Sequence, residues 1–248
     1  MTEAFIIDAV RSPVGRRGGG LSEVHPADLG AHSISALIER TGIDPNEVDD
    51  VIFGNVDSVG PQSGNIARTC WLAADLPEHV PGVTIDRQCG SAQQAVHFAA
   101  QAVMSGTMDL VVAGGVQNMS MIPISSAMVA GQALGFDDPF TGSSRWTTRY
   151  GTGEVSQFVG AEMMCQKWDI GRDEMEAFAI QSHERAIRAR AEGRFEPEIA
   201  PLAGIEHDEG PREPNIDKIQ SLPTLVPDGN LTAACASQIS DGSAAILV

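Results

Sequence analysis

One cysteine stands where chemistry could be done. In Val83-Thr84-Ile85-Asp86-Arg87-Gln88-Cys89-Gly90-Ser91-Ala92 a β-branched run gives way to a turn, and a helical pattern starts just after it. A residue at that junction faces the unpaired N–H groups and the positive dipole end of the following helix, which favour a thiolate. Gly90 lets a ligand come close to the backbone. Cys89 is therefore a candidate nucleophile, although a cysteine read apart from its neighbours would be a small buried residue at a crowded strand–helix junction.

The other thiols and the imidazoles give less. Cys70, Cys165 and Cys235 are far from Cys89 and from each other, and no Cys-x-x-Cys pair occurs, so neither a zinc knuckle nor a thioredoxin motif is written here. Four reduced thiols of a cytosolic protein are expected. His25, His32, His79, His97, His183 and His207 read as surface or packing residues; His97 shares the helix after Cys89 but lies about two turns on. Arg185, Arg188, Arg190 and Arg194 cluster in an acidic chain and could meet phosphates, or could simply complement a helix C-terminus.

The elements that must position Cys89 alternate. Ala4–Val10 reads as a strand, Ala27–Arg40 as an amphipathic helix, and Val51–Val56 as a strand; Asn65–Ala74 and Val83–Asp86 repeat the cycle. Ala92, Ala95, Val96, Ala99, Ala100 and Val103 fall at helical spacing within Cys89–Met104, and Leu110–Gly115 is a short apolar strand. This alternation marks an α/β fold with a parallel sheet covered by helices. From Met121 to Gly153 periodicity fades into Gly, Ser, Met and Thr, the composition of an ordered loop region or the entry to another domain. Gly153–Trp168 and Arg172–Gly193 read as helices, the latter with Met175, Phe178, Ala179, Ser182 and Ala186 on one side and Gly193 as its C′ residue. Ile205–Pro227 reads as a surface connection. Ala244–Val248 reads as a strand that ends with the sequence, from which a longer polypeptide is expected.

Composition bounds the partners. The 248 residues carry 16 Lys+Arg and 33 Asp+Glu, a net charge of −17, which repels nucleic acid. Hydrophobic residues at 42% and charged residues at 20% fit a globular domain. The start lacks a basic segment followed by an apolar run, and no stretch approaches the roughly 20 apolar residues of a membrane span. A cytoplasmic protein is expected.

Asp86-Arg87-Gln88-Cys89-Gly90-Ser91, with Gly114-Gly115-Val116-Gln117-Asn118-Met119-Ser120 after it, resembles the thiolase family at its nucleophile loop and the strand that follows. Arg11-Ser12-Pro13-Val14-Gly15, Asn65-Ile66-Ala67-Arg68, and Leu231-Thr232-Ala233-Ala234-Cys235-Ala236-Ser237 with Asp241-Gly242 agree in order and spacing, so the resemblance covers essentially the whole chain. The wording is most similar to degradative bacterial thiolases, including those acting on steroid-ring fragments.

The resemblance implies a thiolase-like layered fold: an N-terminal βαβ domain at 1–120, completed by 229–248, with a CoA-binding loop domain inserted at 121–228 and no C-terminal domain. It implies an acyl-CoA C-acyltransferase that cleaves 3-oxoacyl-CoA with CoA, or runs the reverse condensation, through an acyl thioester on Cys89, whose N–H forms half of an oxyanion hole. Arg212, in Asp208-Glu209-Gly210-Pro211-Arg212, corresponds to an arginine at the adenine end of CoA; its plainer reading is a solvated loop residue. Ser237 corresponds to a serine lining the pantetheine channel.

Departures bear on the substrate and not on the fold: Ser156-Gln157-Phe158 stands where many members place a His-Met-Gly that touches the substrate, Cys235 replaces an asparagine, and Gln117 a glutamate. The family's Asn-Glu-Ala-Phe, Gly-His-Pro and Cys-x-Gly segments do not occur, so the 248 residues alone are expected to turn over poorly, each positioned proton-transfer group contributing roughly 10²–10⁴-fold. CoA and acyl-CoA are the expected ligands, with no metal or redox cofactor, in a homodimer or homotetramer. The alternative is a truncated, non-catalytic thiolase-like subunit that binds acyl-CoA or a partner.

Overall fold

A computed structural model describes residues 3–248. They gather into two compact units: one of residues up to Phe136 with Glu196–Gly210 and Ile239–Val248, the other of Asp137–Phe195 with Pro211–Gln238. These limits differ from the 1–120, 121–228 and 229–248 divisions implied by the family resemblance.

The first unit is built on β1 (Asp8–Arg11), β2 (Gly15–Arg16), α1 (Pro26–Thr41), β3 (Asp50–Gly54), α2 (Ile66–Ala73), β4 (Gly82–Ile85), α3 (Ser91–Ser105), β5 (Val111–Asn118), α4 (Ser126–Val129) and β6 (Ser240–Leu247). The sheet order is β1-β6-β5-β3-β4, with β2 also on β6. β3 runs parallel to β4 and to β5, whereas β6 is antiparallel to β1, β2 and β5. The sheet is therefore mixed rather than parallel throughout, because its reversed strand comes from the far end of the chain. The first strand is also shorter than expected: Phe5, Ile6 and Ile7 lie outside it and are exposed.

Alternation along each strand builds two cores. Val51 and Phe53 of β3 and Val112 and Val116 of β5 pack with Leu29, Ile34 and Leu37 of α1 and with Ile66, Cys70 and Trp71 of α2. Ile52, Val111 and Ala113 point the other way, onto Ala95 and Ala99 of α3. The two crossovers explain why α2 and α3 take opposite faces. The β3–α2–β4 step moves outward across the sheet and the β4–α3–β5 step moves back over β3, and right-handed connections in opposite directions need opposite faces.

Helix ends follow local chemistry. α1 begins with Pro26 in its first turn, capped by His25, whose Nδ1 accepts the Ala27 N–H, and ends at Gly42 with φ 65°.

In the second unit, α5 (Ser144–Tyr150), α6 (Gln157–Trp168), α7 (Arg172–Ala191) and α8 (Ile216–Gln220) are helical. The aperiodic stretch 121–153 thus contains the short helices α4 and α5. α6 starts later than its apolar pattern suggested, where the Ser156 hydroxyl accepts the Val159 N–H. α7 ends at Ala191, two residues short of the expected range, with Glu192 as its C-cap and Gly193 at φ 71° as the anticipated C′ residue, but Phe178 is 72% exposed and the buried residue of the helix is Glu176. Its carboxylate pairs with Arg172 at 2.7 Å, and Arg172 in turn donates to the carbonyls of Ile219, Gln220 and Leu222 at the end of α8. No helix among the described residues is long and apolar enough to cross a membrane.

Candidate active site

Cys89 sits in the five-residue turn between β4 and α3, at the carboxyl edge of the parallel strands, the edge where open α/β sheets hold ligands. The turn is organised by its own side chains. Asp86 Oδ1 accepts the Gln88 N–H at 2.7 Å. The Ser91 hydroxyl accepts the Arg87 N–H at 2.8 Å and donates to the Gln88 carbonyl at 2.6 Å. Between them Gln88 is held at φ 49°, a left-handed conformation of the kind that costs a non-glycine residue of order 1–3 kcal/mol. That bend turns Cys89 outward. Of the four free cysteines it is the exposed one, while Cys70 and Cys165 are buried and Cys235 is half-buried. Burial, aided by the nearby charge of Asp28, pushes the Cys70 thiol up to about 12.

The first turn of α3 rests directly on the sheet. A β-carbon on Gly54, the last residue of β3, would lie 2.3 Å from the Ala92 nitrogen, and one on Gly115 of β5 would lie 3.0 Å from the Ala92 β-carbon. Only glycine lets α3 start that close. Gln117, two residues past Gly115 on the same side of β5, ties the strand ends together: its Oε1 accepts from Asn55 Nδ2 at 3.2 Å and from the Val56 N–H at 3.1 Å. Its Nε2 is buried and has no hydrogen-bond partner among the described residues. An amide keeps the acceptor that a glutamate would supply here, so this departure leaves the strand linkage intact.

Beyond β5, Asp241 accepts from both the N–H and the hydroxyl of Ser120, at 2.8 and 2.7 Å. Asp57 accepts from Ser125 and Ala127 at 3.0 and 2.7 Å. These buried carboxylates fix the loop that leaves the carboxyl edge.

The remaining sequence candidates all lie in the second unit. Phe158 is half-buried in the first turn of α6, and Ser237 is exposed in the loop before β6. Arg212 is exposed, with its N–H directed at His183 Nδ1 of α7 at 3.4 Å. Burial, with the charge of Arg212 as a smaller contribution, lowers the His183 pKa. The loop leading toward Ser237 is anchored by Glu162 of α6, whose buried carboxylate accepts the N–H groups of Asn230 and Leu231 at 2.9 and 3.1 Å. The Asn230 side chain donates to it as well, at 3.2 Å.

Several histidines serve the backbone: besides His25 and His183, His32 meets the Ala200 carbonyl and His79 that of Asn46. His97 is exposed on α3. Among the described residues no group of three or more His, Cys, Asp or Glu is placed to hold a metal ion.

The strand-to-helix change in the sequence marks the turn that contains Cys89 but not what holds that turn. The double role of Ser91 and the closeness of Gly54 to α3 needed the fold, although a glycine ending an apolar strand is a recognisable sign of close backbone approach.

Comparison with known proteins identifies the family. The family description "Thiolase, N-terminal domain" matches residues 4–248. The chain is 57% identical over 252 residues to the steroid 3-ketoacyl-CoA thiolase FadA6 of Mycobacterium tuberculosis, covering 100% of this chain and 62% of that protein. It is 36% identical over 267 residues to a beta-ketoadipyl-CoA thiolase of Acinetobacter baylyi, and 35% identical over 263 residues to a probable acetyl-CoA acyltransferase of Staphylococcus aureus. In each of these two the match covers 100% of this chain and 66% of the relative. The chain thus spans a little under two thirds of the length of these relatives.

Proposed function

We propose, from the premise that the chain belongs to the thiolase family and carries its N-terminal domain, that it is the nucleophile-bearing part of a CoA-dependent acyltransferase. The observation that carries this reading is the outward thiol of Cys89 on a strained turn at the carboxyl edge of β3, β4 and β5.

In the cleavage direction the Cys89 thiolate attacks the 3-oxo carbon of a 3-oxoacyl-CoA. The bond between carbons 2 and 3 then breaks, its electron pair leaving with acetyl-CoA, which takes up a proton. The remaining acyl group stays on Cys89 as a thioester until the thiol of a second CoA attacks it and frees the cysteine. The Cys89 N–H, just ahead of α3, would form half of the oxyanion hole that stabilises the charge formed in both attacks. The proton transfers call for an acid and a base, which the resemblance assigns to family segments that do not occur in this sequence. CoA enters as a substrate, and the reaction needs no metal or redox cofactor.

The identity to a steroid 3-ketoacyl-CoA thiolase supports a bulky, ring-derived acyl group as substrate. Arg212 would hold the nucleotide end of CoA through its planar guanidinium, Ser237 would line the pantetheine channel, and Phe158 would bear on the acyl chain. Association of copies of the chain into a dimer or tetramer, in the cytoplasm, completes the reading.

Iodoacetamide labelling with and without CoA tests it. Cys89 should react far faster than Cys70, Cys165 and Cys235, and CoA should protect it. Equal labelling of all four thiols, or Cys89 labelling indifferent to CoA, would contradict the proposal.

A further inference from the structure

The Gln88 carbonyl and the Cys89 N–H are the two ends of one peptide unit. No cis bond occurs among the described residues, so the planar frame of this unit points the two groups in opposite directions. Whatever holds the carbonyl therefore aims the N–H.

Ser91 holds that carbonyl. Its hydroxyl donates to the Gln88 oxygen at 2.6 Å, and its own N–H donates to the same oxygen at 3.0 Å. A hydroxyl has a single proton to give. Its oxygen accepts the Arg87 N–H at 2.8 Å and the residue is only 3% exposed, so solvent does not draw that proton away from the Gln88 carbonyl.

The residue is itself backed by the sheet. A β-carbon on Gly54, at the end of β3, would lie 2.7 Å from the Ser91 β-carbon. The support thus runs from β3 through Ser91 to the peptide that carries the Cys89 N–H, and every part of it belongs to the first unit. Two donors on one carbonyl also draw electron density toward its oxygen and leave the N–H at the other end more positive, as in linked hydrogen bonds that polarise one another.

We propose that Ser91 is a positioning residue for acyl transfer, its hydroxyl aiming and polarising the Cys89 N–H through the Gln88–Cys89 peptide so that this N–H meets the oxyanion. The inference rests on the reading of Cys89 as the residue that is acylated.

Two reactions of the same thiol test it, on the polypeptide at the length its source makes. With acetyl-CoA, the Cys89 sulfur bonds to the carbonyl carbon and an electron pair moves onto oxygen. As that pair returns, the bond from carbon to the CoA sulfur breaks, and CoA leaves as a thiolate that takes up a proton. With iodoacetamide the sulfur displaces iodide and no oxyanion forms. Ser91→Ala should acylate Cys89 about tenfold more slowly, short of the roughly 10²–10³-fold that losing an oxyanion donor costs, while alkylation changes by no more than about threefold. Asp86→Ala removes the acceptor of the Gln88 N–H and loosens the same turn, but leaves the carbonyl its donors. It should change the two rates by similar factors.

An equal fall of both rates in Ser91→Ala, or the same selective fall in Asp86→Ala, would show a merely structural turn and overturn the inference. Unchanged acylation in Ser91→Ala would overturn it too. The absence of any acetyl group on Cys89 of the parent would overturn the underlying reading, and the inference with it. Should Ser91→Ala fail to fold, Ser91→Cys puts a weaker donor in the same place and should show a smaller selective loss; a ratio of the two rates equal to the parent's would then count against the inference.

Discussion

Gly54 and Ala92 meet so closely that a β-carbon on Gly54 would stand 2.3 Å from the Ala92 nitrogen. This one approach seats the Cys89 turn on the sheet, because Ala92 is the second residue of α3, whose first residue, Ser91, follows Cys89 by two.

Gly54→Ala should therefore act at a distance from its own position. The opposing atoms are backbone, so α3 must shift or the strand must bend, at about 1–3 kcal/mol. Denaturant unfolding should show that loss, and the Cys89 alkylation rate should change with it. A variant as stable as the parent, with the same rate, would mean that the contact positions nothing.

Glu162 should give the second unit an acid limb. Chiefly the Asn230 N–H, with further help from Leu231 and the Asn230 side chain, holds its carboxyl below the usual carboxylate range, against the opposing effect of burial. A lowered pKa means that the stabilisation is complete above the unfolded-state value, about 4.3. It is then lost as pH falls through the folded-state value. Unfolding midpoints at pH 7 and pH 3.5 should differ more for the parent than for Glu162→Gln. Equal slopes would show that the anchor contributes no pH dependence.

How much of this could be read from the residues depended on how local each cause was. The turn around Cys89 is built from neighbours in sequence, so the change from a β-branched run to a helical pattern sufficed to find it. The helices α1, α2, α3 and α7 were legible for the same reason. The reversed direction of β6 was not, since it depends on pairing Ala244 and Ala245 with Gly115 and Gly114, more than half the chain away. Nor was the membership of 196–210 in the first unit, which hangs on Arg11 reaching Glu198 and Asp208. Phe158, Ser237 and Arg212 are singled out only by family resemblance, because nothing in their local patterns distinguishes them from ordinary loop or helix residues.

His183 should report on the Arg212 loop. Burial first, and the charge of Arg212 second, lower its pKa, so its imidazole should titrate below the usual value near 6.5. Its contribution to stability is present above the unfolded-state value and is lost as pH falls through the folded one. NMR titration of the His183 ring should show this low midpoint, and Arg212→Ala should move it upward. A midpoint at or above 6.5 in the parent would contradict the packing of the loop against α7.

The central claim is that Cys89 carries the acyl group. Its most direct test is to incubate the polypeptide, at the length its source makes, with acetyl-CoA, quench in acid, and map the peptides by mass. The account predicts a single acetyl group on the peptide containing Cys89, labile to hydroxylamine as a thioester should be, and absent from Cys89→Ala. An acetyl group on Cys70, Cys165 or Cys235, or no covalent acyl group in an enzyme that turns over, would contradict it.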